Sequence, residues 1–367
     1  MRILLILLLL LLMIPTAAFA KTEWTWREDI VPIHPGSGAY PRMIELADGT
    51  LLCGFDAAIN SNKSNIWIVR STDQGETWSE PILAGFRNGF NCANANLIQL
   101  DNGDILLAYR AIANRNGKTD ARLICRISSD GGYTWKTHST IVKTLGQGGV
   151  WEPHFVRVGD QILVFYANDS ESAVGNTGYQ NIEYRILQGD SWSEAVIASD
   201  GQQTRSRDGM PVVDRLSDGR YVMVVEANQF PDYVFIVQMK FSPDGLDWSE
   251  PLQTIYVPTL KGAGKKAGAP YVTVLPGDVL AVSFQTDEDA TDCGDHVSTM
   301  KIIFSHDLGK TWSEPYEPFD TPDGYSAVWN GMYYTSGKLF ALTSLNYAGG
   351  GIQARIADVA WDENLPN

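Results

Sequence analysis

Glu226 ends an unbroken apolar run, Tyr221-Val-Met-Val-Val225. A carboxyl at the end of a buried strand sits where desolvation raises its proton affinity. Arg110 ends a matching run, Ile105 to Tyr109, and could hold a neighbouring carboxylate ionised or grip a hydroxyl-rich ligand. A structural ion pair is the plainer use for it. Further charges recur along the chain: Arg42, Glu152 beside Trp151, Asp169 and Glu171 after Tyr166, Arg207 with Asp208, and Asp287-Glu288-Asp289 after Gln285. Two carboxyl groups facing each other across a pocket are what cleavage of a glycosidic bond requires. One protonates the leaving oxygen, and the other attacks the sugar or activates water. Trp151, Tyr166, Trp329 and Tyr347 could offer flat faces to sugar rings, although such residues also serve as ordinary packing.

These residues can cooperate only if the fold brings them together, and two repeats say how. Six hydrophobic runs each reach a tight turn glycine and are followed by another run: Gly49, Gly103, Gly159, Gly219, Gly277 and Gly337, separated by 54, 56, 60, 58 and 60 residues. Six hairpins at a near-constant period predict an all-β, six-bladed propeller of four-stranded antiparallel blades. The second repeat is Ser-x-Asp-x-Gly-x-Thr-Trp. It is complete at Ser71, Ser128 and Ser305, one residue short at Ser242-Pro-Asp244-Gly245-Leu-Asp247-Trp248, and reduced to Gln188-Gly-Asp190-Ser-Trp192 in the third unit. Its Ser and Asp can cap the turn's own amides while Trp packs between sheets, so these boxes are expected to be scaffold. Only five boxes accompany six hairpins. The sixth blade is therefore expected to be closed by both chain ends, Trp24–Ile33 pairing with Gln353–Trp361, which removes an exposed sheet edge.

Antiparallel geometry then sorts the residues. The box turns and the Gly turns lie on one face, and the starts of first strands and ends of second strands lie on the other. The first-strand starts bring Arg42, Asn94, Trp151-Glu152, Arg207-Asp208, Gly268-Ala-Pro270 and Trp329 to that mouth. The second-strand ends bring Asp56, Arg110, Asp169-Ser-Glu171, Glu226, Gln285-Thr-Asp287 and Tyr347.

Composition narrows the partners. A net charge of -15 argues against nucleic acid and anionic membrane, and it weakens a polyanionic substrate unless a local basic pocket overrides it. Residues 1–20 read as a signal peptide: Arg2, an apolar run from Ile3 to Ile14, then Ala18-Phe19-Ala20. Residues 21–367 are then expected to be one propeller, exported, free of the membrane after cleavage, and monomeric. Cys53 and Cys125 fall inside strands as buried thiols, whereas Cys92 and Cys293 lie in loops where a bridge is conceivable. No zinc-type spacing occurs. Asp287, Glu288, Asp289 and Asp292 could hold calcium, but an acidic rim is the simpler reading, so no metal and no cofactor is expected.

The box repeat resembles the Asp-box of sialidase-like propellers. The stretches Tyr40-Pro41-Arg42, Trp151-Glu152-Pro153, Gln180-Asn181-Ile182, Arg207-Asp208-Gly209-Met210-Pro211, Gly268-Ala269-Pro270 and Ser283-Phe284-Gln285-Thr286-Asp287-Glu288-Asp289 resemble the exo-arabinanases of glycoside hydrolase family 93. That resemblance implies exo-cleavage of α-1,5-arabinan by a retaining two-carboxylate mechanism. Glu226 would be the acid/base, and Asp169 or Glu171 the nucleophile. Asp208 would orient substrate or tune the pair. Arg42, Asn94, Arg110, Trp151, Glu152, Tyr166, Arg207, Gln285, Asp287 and Trp329 would contact an oligo- or polysaccharide. A sialidase is the second reading and needs Arg42, Arg110 and Arg207 to converge on a carboxylate. A carbohydrate-binding propeller without chemistry is the third.

Overall fold

The structure is a computed structural model that describes residues 22–61, 63–259 and 263–362, so the expected signal peptide lies outside the described residues. Six antiparallel sheets follow one another around a ring. Their first strands are Ala39–Glu45, Asn91–Gln99, Val150–Val158, Gly209–Arg215, Ala267–Leu275 and Ala327–Thr335. Each first strand packs against the next, and Ala327–Thr335 returns to Ala39–Glu45, which closes a six-bladed propeller. Second strands are buried on both faces because neighbouring blades stack on each side of them. Val279–Thr286 is buried at every position, and so is Tyr221–Ala227. That is why these segments read as continuous apolar runs and do not alternate. Between the first two blades, for example, Leu52, Ile66 and Ile68 pack against Leu97, Leu107 and Tyr109.

The closing blade pairs Thr22–His34 with Gly351–Trp361, in a register that includes Trp24 opposite Val359 and Ile30 opposite Arg355. The expected closure by both ends is therefore present, with the first strand two residues longer at its start and one at its end, and the second two residues longer at its start. Two blades depart from four plain strands. The fifth has three, and its fourth position is reduced to a single bridge between Ile302 and Tyr316. Pro315 and Pro318 flank that tyrosine, and a proline has no N–H to extend a ladder. In the third blade the outer edge is split into Ser191–Trp192 and Val196–Ser199. This is the blade whose box has lost its Ser and Gly.

The intact boxes hold themselves together. Asp130 accepts from Thr134 N at 2.9 Å and Thr134 Oγ1 at 2.6 Å, Ser128 Oγ accepts from Gly132 N at 2.9 Å, and Trp135 Nε1 donates to Gly132 O at 3.0 Å. The same set recurs from Ser71, and the Ser and Asp bonds recur from Ser305. Donors converging on one carboxylate push Asp73, Asp130 and Asp307 down to about 2. All four cysteines are free thiols, with Cys53, Cys92 and Cys125 buried and Cys293 exposed, so no Cys92–Cys293 bridge forms.

Candidate active site

All six first strands carry the same irregularity near their start. The ladder slips between Ala39 and Arg42, Ala93 and Asn96, Trp151 and His154, Gly209 and Val212, Gly268 and Tyr271, and Val328 and Gly331. Within each bulge one non-glycine residue takes a left-handed backbone: Tyr40 at φ 54°, Asn94 at 59°, Glu152 at 43°, Met210 at 50°, Ala269 at 47° and Trp329 at 59°. Bulges re-aim side chains, and a sixfold set of strained residues marks a place where aim matters. They ring the channel at the mouth opposite the Gly turns.

A freed bulge amide needs an acceptor, and the preceding blade supplies it. Asn94 N donates to Asp56 at 3.1 Å, Ala269 N to Glu226 Oε2 at 2.8 Å, and Trp329 N to Gln285 Oε1 at 2.8 Å. Asp56, Glu226 and Gln285 hold equivalent positions at the ends of second strands. Arg110 holds that position in the second blade and cannot accept. One oxygen of Glu226 is therefore a strut between blades. The other accepts from Arg207 Nη1 at 3.2 Å.

A cavity of about 720 Å³ opens at this mouth, walled by Glu152, Glu226, Arg110, Arg207, Trp151 and Trp329 among others. Tyr40 stacks on Trp329 with ring centres 4.6 Å apart, and Arg110 lies 5.2 Å from the Trp151 ring. Glu152 is pushed up to about 7, first by burial and then by the charge of Glu226, with Arg207 and Arg110 opposing. Its Oε2 is buried and has no hydrogen-bond partner among the described residues. Glu152 and Glu226 are thus coupled carboxyls in one cavity, with Arg207 interacting with both.

Several predicted site residues stand elsewhere. Asp169 does not line the cavity; its Oδ1 accepts from Trp151 Nε1 and from Gly149 N, both at 2.7 Å, and so fixes the indole from behind. Glu171 is exposed at the start of a short helix, Glu171–Val174, with its carboxylate against Gly146. Of the blade-three carboxyls, the one in the cavity is Glu152. Asp208 is wholly buried and points to Ser199 Oγ at 2.7 Å and Thr204 Oγ1 at 3.2 Å, so it cannot touch substrate. Tyr166 is wholly buried core, its hydroxyl accepting from Arg185. Arg42 lies beneath the cavity, donating to the carbonyls of Pro41 and Asn330 at 2.8 Å, and Asn94 is buried at that lower level. The slip at the bulge explains these displacements: it turns Tyr40 to the cavity and Arg42 into the channel.

Gln285 and Asp287 do line the cavity. Asp287 accepts from Lys266 N and Gly294 N, both at 2.9 Å, which ties two loops together. Glu288 accepts from Lys301 Nζ and Tyr256 OH, both at 2.6 Å, and Lys301 also meets Asp289. Lysines and amides thus occupy these acids, and among the described residues no group of three or more His, Cys, Asp or Glu is arranged around a metal position. Sequence reasoning missed Tyr40, Met210, Phe235, Lys265, Lys266 and Asp295 in the wall. Tyr40 and Met210 recur at the period of the turn glycines, and that signal could have located them.

The family model for the BNR/Asp-box repeat matches residues 69–80. No curated protein matches the chain. Among solved structures, the chain is similar to a glycoside hydrolase family 93 α-L-arabinofuranosidase of Fusarium graminearum complexed with arabinobiose. The TM-score is 0.69 at 21% identity, covering 89% of this chain and 96% of that one. It is similar to an α-L-arabinanase of Penicillium chrysogenum, also complexed with arabinobiose, with TM-score 0.69 at 21% identity over 91% and 98% of the two chains. A sialidase of Streptococcus pneumoniae shares the fold more loosely, at TM-score 0.59 and 12% identity over 92% and 71%.

Proposed function

We propose that this chain is a glycoside hydrolase that releases arabinofuranose units from the end of an α-1,5-arabinan-like chain by a retaining mechanism. The observation that carries the reading is the coupled pair Glu152 and Glu226 in a cavity walled by Trp151, Trp329 and Tyr40. The fold shared with two enzymes bound to arabinobiose supports the sugar class. Arginine placement disfavours the sialidase reading, since Arg42 is bonded to backbone carbonyls below the cavity and leaves only Arg110 and Arg207 in its wall.

Glu152, with its unpartnered oxygen, attacks the anomeric carbon as the glycosidic C–O bond breaks. Glu226 gives its proton to the leaving oxygen. Water then attacks the anomeric carbon, returns a proton to Glu226 and frees Glu152. Burial and the charge of Glu226 raise the Glu152 carboxyl to about 7, so the attacking carboxylate forms as pH rises through that value. Arg207 steadies the charge, and Asp169 orients Trp151 as a sugar platform. We further propose that the protein is exported and works as a monomer; sequencing the mature N-terminus from the extracellular or periplasmic fraction tests the export.

Incubation with linear arabinan and with a sialyl substrate, followed by sizing of the products, is the direct test. Free arabinose or a short arabino-oligosaccharide is expected, and free sialic acid would replace this reading. Glu226→Ala should retain activity on an aryl arabinofuranoside with a good leaving group and be rescued by azide. Glu152→Ala should do neither. The reverse pattern would exchange the two roles.

A further inference from the structure

The second blade carries cations that the chemistry above does not use. Phe90, a buried ring at the entry to that blade, is faced by three guanidinium groups: Arg87 at 4.8 Å, Arg115 at 5.2 Å and Arg122 at 5.3 Å from its centre. The ladder adds to the crowding. Arg122 stands directly opposite Lys143, and Arg115 directly opposite Lys118. Like charges placed opposite each other destabilise a sheet, and Asp120 offsets this cluster in part, its carboxyl lowered first by Arg122 and then by Lys143 and Arg115. Asp120 binds Arg122 through both oxygens, at 2.8 and 2.9 Å. Among the described residues, Arg87, Arg115, Lys118 and Lys143 make no ion pair. Glu171, whose carboxylate lies against Gly146 at the end of the neighbouring strand, is a further acid on this side.

The cluster is continuous with the cavity. Arg110, in the cavity wall, and Arg115 belong to the same strand, Ile105–Arg115, whose end lies on the mouth face. Phe90 precedes Asn91, which pairs with Ile112, and Ala93, two residues on, pairs with Arg110, so the ring and its cations stand beside the arginine of the cavity wall. A basic strip thus leaves the cavity across one blade of a chain whose net charge is -15.

We propose that this strip is an anion subsite, and that the arabinan-like substrate carries uronate units further along the same polysaccharide. One terminal sugar occupies the cavity while carboxylates further along the chain lie on Arg87, Arg115 and Lys143. Guanidinium forks match carboxylates in geometry, and a charged strip beside a site also steers an anionic chain towards it. The proposal rests on the glycosidase reading and names its substrate class.

Calorimetry with oligogalacturonate and with a neutral arabino-oligosaccharide tests it on the full chain and on Arg115→Gln/Lys143→Gln. Both substituted residues are exposed and lie outside the cavity, so the fold is retained. Oligogalacturonate should bind the parent, and bind the variant about tenfold more weakly, the loss of one or two charge-assisted hydrogen bonds. Added salt should weaken binding to the parent, and affinity for the neutral sugar should not change. No oligogalacturonate binding, equal affinity in parent and variant, or equally tight binding of duplex DNA would overturn the proposal. Hydrolysis of a neutral aryl arabinofuranoside is read separately. Its absence alongside arginine-dependent uronate binding would sink the glycosidase reading and leave the strip standing.

Discussion

Glu226 does two jobs, and its two oxygens divide them. One accepts from Ala269 N across the blade boundary, and the other faces Arg207 in the cavity. Glu226→Gln keeps an acceptor for the Ala269 amide. It should therefore fold with nearly parental Tm while arabinan hydrolysis falls by about two to four orders of magnitude, the usual worth of a positioned acid. A variant that retained activity within tenfold would remove Glu226 from the chemistry. The space around that carboxylate is tight: a Cβ on Gly268 would lie 2.9 Å from Glu226 Oε2. Gly268→Ala should displace the carboxylate, lowering kcat far more than it shifts Tm. Glu152 gives a pH signature. Its pKa is raised to about 7, so Glu152 is protonated below that pH and ionises as pH rises through it. The attacking carboxylate must be ionised, so activity should rise as pH climbs through about 7, and a kcat/KM profile flat from about pH 5 to about pH 8 would contradict the raised Glu152 carboxyl.

The boxes and the bulges are the two recurring elements, and they differ in how openly the sequence displays them. Box chemistry lies in neighbouring residues, so Ser71, Asp73, Gly75, Thr77 and Trp78 announce their own bonds. The bulges do not, because a slip in register depends on the partner strand and the next blade. Asn94, Glu152 and Trp329 share no side-chain type, although all three adopt positive φ at the same place. Two outcomes belong here. Gly75 has φ 88°, and a Cβ there would meet Phe340 at 2.7 Å, so Gly75→Ala should cost about 2 kcal/mol in denaturant unfolding. The box aspartates titrate near 2, below the usual carboxylate value. Their stabilising effect is therefore complete above about pH 4 and is lost as pH falls towards 2. Replacing Asp73, Asp130 and Asp307 together by Asn should lower Tm at neutral pH and flatten its fall between pH 4 and 2.

At the scale of the whole molecule, closure is the controlling feature. Thr22–His34 completes the last blade, and without it Gly351–Trp361 would present an open edge. Deleting residues 22–34 should lower Tm and produce concentration-dependent aggregation in light scattering, whereas an unchanged monomer would show that the ring holds without its clasp. The turn glycines, the boxes and the apolar runs determined the blade count, the closing ends and the face that carries the cavity, because each is a local pattern repeated at a fixed period. The same reading placed Glu226, Arg110, Arg207, Trp151 and Trp329 at one mouth, and the cavity contains all five. It could not choose among the carboxyls of the third blade, nor separate Tyr40 from Arg42. Those choices turn on which way a side chain leaves a bulged strand, and only contact with the neighbouring blades decides that. Tertiary structure therefore set Glu152 opposite Glu226 and buried Asp208 and Tyr166, because bulge register and blade-to-blade packing are long-range properties that no local pattern encodes.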